Sequence, residues 1–108
     1  MKNTLLAVVA LVLVHGIAVA QELPGDANAG RALAMRLCAG CHVVAPDQRR
    51  PAMDGAPAFL TLARDPAVTE LSLRAFLQTP HARMPNIMLS RREIDDVVSH
   101  ILGMRTAR

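Results

Sequence analysis

The 108 residues carry 12 basic and 9 acidic side chains, and every base except Lys2 is an arginine. The two signs are interspersed instead of forming a basic stripe, which excludes the usual kind of nucleic-acid-binding surface. With no Trp, no Tyr and two Phe, so small a chain needs help to make a stable core, usually from a staple, a metal or a cofactor.

The chain opens with Lys2, an apolar run from Leu5 to Val14 and the small residues Ala18-Val19-Ala20 before Gln21. This is the three-part layout of a secretory signal peptide with an A-x-A cleavage site. A membrane span needs roughly 20 apolar residues; this run is shorter and is interrupted by His15-Gly16. A cleaved leader at 1–20 is therefore expected over a retained anchor, with a single mature domain at 21–108 exported to the periplasm. Losing Lys2 leaves 11 arginines against 9 acids, a net charge of +2.

Asp26 or Asn28 can cap a first helix running from Ala29 through Leu37 into Cys38. Leu33 and Leu37 share one face, with Gly30 and Ala34 beside them, and such small residues let another helix come close. From Val43 to Ala56 periodicity stops, and Pro46, Asp47, Pro51, Asp54 and Gly55 mark a loop. Pro57 to Arg64 reads as a short helix with Pro in its first turn, ended by Asp65-Pro66. A third helix begins near Thr69, takes Leu71, Leu73, Phe76 and Leu77 as its apolar residues, and stops before Pro80. Ser90-Arg91-Arg92-Glu93 has capping-box form, and Ile94, Val97, Val98, Ile101 and Leu102 follow at helical spacing, with Gly103 as the stop. No strand alternation is found, so the expected fold class is all-α.

The run Cys38-Ala39-Gly40-Cys41-His42 carries the chemistry. Two thiols three positions apart can each add across a porphyrin vinyl group, and the adjacent imidazole can reach the iron. The expected cofactor is one covalently attached haem c, held by Cys38 and Cys41 with His42 as an axial ligand. Such a group also supplies the flat apolar body that missing rings would otherwise provide, so the haem-free chain is expected to fold poorly. A thiol–disulfide oxidoreductase would set the two cysteines in a βαβ context, which is absent. A closed zinc site takes four ligands, more than this run offers.

The opposite face of the iron decides the chemistry, since a thioether there raises the reduction potential and leaves no site for oxygen or peroxide. Met84 is the leading candidate, because it lies between two helices with Pro80 and Pro85 stiffening its segment. Met88 is the runner-up, with a histidine or an open position as further alternatives. Met35 belongs to the proximal side, Met53 follows His42 closely in a loop that would have to wrap quickly round the haem edge, and Met104 lies past the last helix. His81 reads as a solvated loop residue, and His100 as a satisfied histidine inside the last helix. Phe59 and Phe76 are expected to line the haem pocket.

These residues resemble the class I cytochromes c, specifically the small soluble bacterial monohaem type, over nearly the whole mature sequence. Gly30, eight residues before Cys38, matches that family's helix-crossing glycine. Gly55-Ala56-Pro57 resembles its Gly-Pro element, which implies that the Pro57 carbonyl accepts a hydrogen bond from the ligand imidazole. Met84-Pro85 and the capped last helix complete the pattern. The resemblance implies about four short helices around one haem, the first and last crossing. Two aromatics usual in the family are replaced by Ala34 and His100, so smaller groups must make the crossing contact. The Trp and Tyr that often bind the haem propionates are missing, leaving Arg49, Arg50 or Arg83 for that role or for plain surface charge.

The function expected is a periplasmic electron carrier, not an enzyme, that passes single electrons between redox proteins such as a dehydrogenase, reductase or oxidase. It binds no nucleic acid and is not stably inserted in a membrane after cleavage. An alternative is the electron-accepting haem subunit of a periplasmic dehydrogenase complex. Gas sensing or peroxidase action would require an open sixth position.

Overall fold

A computed structural model describes residues 22–49, 53–79 and 84–107. The proposed leader, Arg50, His81 and Arg83 lie outside these residues. Four helices and no strand are found among them: α1 (Ala27–Leu37), α2 (Phe59–Arg64), α3 (Glu70–Leu77) and α4 (Arg91–Gly103). The fold is all-α.

Of the two candidate caps, Asp26 is the one used, accepting from the N–H of Asn28 at 2.8 Å and of Ala29 at 3.1 Å. Helix α1 thus begins two residues earlier than Ala29. Helix α4 opens with the expected capping box: Ser90 Oγ accepts from the Glu93 N–H at 3.3 Å, and the Ser90 N–H donates to Glu93 Oε2 at 2.8 Å. Its stripe of Ile94, Val97, Val98, Ile101 and Leu102 is buried throughout. Gly103 is the last helical residue, and the cap falls one position later, on buried Met104.

The largest helix contact is α1 on α4. A Cβ added to Gly30 would lie 1.9 Å from the Asp96 carbonyl oxygen, so the two backbones touch where only glycine fits. Helix α4 also grips the chain ahead of α1: Gly25 N–H donates to Ser99 Oγ at 3.1 Å and Asp26 N–H to Asp96 Oδ1 at 2.8 Å. Behind the crossing, the position expected to lack an aromatic is filled by His100, whose ring lies 6.2 Å from that of Phe59. The crossing is thus packed by an imidazole and by the fully buried Ala34.

Helix α2 corrects one expectation: it begins at Phe59 with Ala58 as an extended N-cap, so Pro57 precedes the helix instead of occupying its first turn. The Phe59 N–H, left without an intrahelical acceptor, donates to the Val43 carbonyl at 2.9 Å. In α3, Leu73 is buried, whereas Leu71 is 76% exposed and Phe76 is half-exposed. Two residues along a helix is more than half a turn, so Leu71 and Leu73 cannot share a face. Thr69 caps α3 through a box with Ser72, and Arg74 joins Glu70 on α3 to Asp95 on α4. The Arg105 guanidinium, beyond α4, donates to the carbonyls of Ala63 and Val68. No helix among the described residues is long and apolar enough to cross a membrane.

Candidate haem site

Helix α1 delivers Cys38 as its C-cap, with its N–H on the Ala34 carbonyl at 2.8 Å. The chain then turns tightly, the N–H groups of Cys41 and His42 both donating to the Cys38 carbonyl at 3.1 and 2.9 Å. Other parts of the chain claim the carbonyls that follow. Met53 N–H donates to Cys41 O and Phe59 N–H to Val43 O, each at 2.9 Å. The His100 ring donates through Nε2 to Val44 O at 2.7 Å. Gln48 Nε2 takes His42 O at 2.9 Å and Ala39 O at 3.3 Å.

Nδ1 of His42 lies 2.7 Å from the Pro57 carbonyl. A carbonyl only accepts, so Nδ1 carries a proton, and in the neutral ring Nε2 then keeps the lone pair, the tautomer a metal ligand needs. The approach to Pro57 turns at Gly55, whose φ of 86° lies in the left-handed region that glycine enters without strain. Phe59 packs on His42 with ring centroids 5.5 Å apart.

A cavity of about 490 Å³ opens beside this imidazole, within the range of roughly 300–1,000 Å³ typical of small-molecule sites. It is lined by Cys38, Cys41, His42, Pro57, Phe59, Phe76 and Met84, all seven residues singled out in the sequence. Leu62, Leu73, Leu77 and Ile101 add an apolar wall. Two free thiols, one imidazole with an available Nε2 and an apolar cavity fit a covalently held haem. Among the methionines, Met84 and Met53 reach this lining. Met88 is 88% exposed and Met104 is buried in the core, and neither lines the cavity. Arg49 is exposed and away from the cavity lining.

The thiols themselves argue against disulfide chemistry. Burial pushes the Cys38 thiol above its ordinary value, and the residue sits at the C-terminal end of α1, where the helix dipole opposes a thiolate. An exchange nucleophile requires the reverse, a lowered pKa of the kind found at helix N-termini. Among the described residues no three of His, Cys, Asp and Glu gather as a metal-binding group.

Gln48 is the site residue that sequence reading missed. A glutamine in a loop carries no periodicity or cap signal, and its role shows only in the bonds it makes. Ile101 could have been found, as it belongs to the buried α4 stripe.

An all-α fold around a cavity that presents two thiols and an imidazole is that of a c-type haem protein. The family model for cytochrome c matches residues 27–105, and the chain belongs to this family as a small bacterial class I member. It is 39% identical over 97 residues to cytochrome c-552 of Bradyrhizobium diazoefficiens (strain USDA 110), covering 90% of this chain and 92% of the relative. No solved structure gave a significant match. The chain accordingly carries covalently attached haem c and is an electron carrier acting with redox partners, not an enzyme.

Proposed function

We propose that the chain is a periplasmic carrier whose haem is tethered by thioethers from Cys38 and Cys41 and ligated by His42 and Met84. In this reading residues 1–20 are a signal peptide and 21–108 form the exported domain. Its donor and acceptor are larger redox proteins, a dehydrogenase on one side and a reductase or oxidase on the other. The reading rests on one observation above all: the bond from His42 Nδ1 to the Pro57 carbonyl, which leaves Nε2 available on a ring lining the same cavity as Met84.

Haem held there supplies a one-electron Fe(II)/Fe(III) couple. Pro57 holds the imidazole in one tautomer and orientation and raises its basicity. The thioether of Met84 would serve as a second iron ligand, favouring the reduced state and disfavouring binding of oxygen or peroxide. Apolar side chains from α2, α3 and α4 exclude water, which keeps the couple insulated except where it meets a partner.

Visible spectroscopy of the ferric protein tests the axial pair. His/Met ligation gives a weak thioether-to-ferric charge-transfer band near the red end of the visible, and the ferrous form leaves carbon monoxide unbound at neutral pH. A missing band together with ready carbon monoxide binding would reject Met84 as ligand. Peptide sequencing of the protein exported from its host checks cleavage before Gln21, and an intact Lys2 peptide would refute it.

A further inference from the structure

We infer that Gln48 is a positioning residue that aims the His42 imidazole. One carboxamide holds three backbone groups on both sides of the ligand. Nε2 donates to Ala39 O at 3.3 Å and to His42 O at 2.9 Å, and Oε1 accepts from Val44 N–H at 2.7 Å. Both donors and the acceptor are therefore used, which is nearly the full capacity of the group. The side chain that does this is itself anchored, because Gln48 N–H donates to the Ala45 carbonyl at 3.1 Å and closes a turn beneath it.

The consequence is geometric. Fixing the His42 carbonyl fixes the backbone from which the imidazole projects, and its Nδ1–H must meet a carbonyl 15 residues further on at 2.7 Å. A ligand ring whose second nitrogen is well bonded is the more basic ligand, and outer hydrogen bonds of this kind carry much of a metal site's tuning. A side chain that only filled the loop would not need to hold the peptide groups flanking the ligand. Gln48 thus acts on the iron without touching it, through the alignment of His42 with Pro57.

This inference rests on His42 being an iron ligand, and the test separates the two. In the ferric holoprotein, paramagnetically shifted ring protons of His42 establish ligation in the unaltered chain; unshifted protons would remove the ligand reading whatever Gln48 does. With the shift present, Gln48→Leu removes all three bonds and Gln48→Asn keeps the amide on a side chain one methylene too short. Either variant that retains the α-helical spectrum serves. The expected result is solvent exchange of the His42 Nδ1 proton at least about tenfold faster, a higher midpoint potential, and unchanged exchange at the core amides of Val98 and Ile101. Wild-type Nδ1 exchange and potential, or an equal loss of stability in the ferric and ferrous forms, would overturn the inference.

Discussion

On the His42 side of the cavity, Gln48, Met53, Phe59 and His100 take the backbone carbonyls of Ala39, Cys41, His42, Val43 and Val44. In the Met84 segment, residues 85–89 make no hydrogen bond among the described residues; Leu89 packs against the core and Ile87 lines the cavity. In the proposed reading the first side carries the covalent tethers and a nitrogen donor, and the second offers a thioether, a weaker ligand. Hydrogen bonds fix direction and packing fixes only proximity, so residues 85–89 are expected to yield first under stress.

The greatest effect should come from removing the tethers. Cys38→Ala with Cys41→Ala leaves no thioether, and haem staining on a denaturing gel should fall from full intensity to none. Met84→Ala tests the other side alone: haem stays covalently attached, while the red charge-transfer band is lost and the ferrous form binds carbon monoxide. If the band survives, the two sides have been assigned wrongly.

Gly30→Ala probes what both sides share. Its methyl would collide with the Asp96 carbonyl, and overpacking of this kind costs about 1–3 kcal/mol. Chemical denaturation of the ferric and ferrous forms should show the same loss in each. Ser90→Ala removes the cap that follows the Met84 segment and should cost about 1 kcal/mol. The red band should then disappear at a lower temperature than in the parent, ahead of the helical signal.

The smallest effect is acid sensitivity on the His42 side. Burial holds the His100 pKa below its ordinary value, Arg31 adds to that, and the bond to the Val44 carbonyl partly opposes it. The folded chain therefore binds fewer protons here than the unfolded chain, whose imidazole titrates near pH 6.5. Stability is complete above about pH 6.5 and declines as pH falls from there toward the lowered folded value. Denaturation midpoints at a series of pH values should show this slope, and His100→Phe should flatten it.

Where sequence reading succeeded, the information was local. Ser90 and Glu93 are one turn apart, the stripe from Ile94 to Leu102 repeats within one helix, and the run from Cys38 to His42 is contiguous. Asp26 and Asn28 could not be told apart because both are good caps two residues apart, and only three-dimensional contact selects one. Met88 competed with Met84 because both follow α3 in one short segment, and of the two only Met84 lines the cavity. Gln48, His100 and Arg105 act through bonds to backbone groups; those of His100 and Arg105 reach 56 and up to 42 residues along the chain, distances at which no sequence pattern survives.

The hydrogen bond from Asp26 to Asp96 joins positions 70 residues apart, and the α1–α4 contact it belongs to encloses nearly the whole domain in a single ring of chain. The length-dependent part of closing a ring of that size costs about 4 kcal/mol in entropy. Few of the rewards for that closure are local, so the domain has a higher contact order than its helical content suggests. Its refolding should be correspondingly slow, nearer the pace of mixed α/β domains than of simple helical bundles.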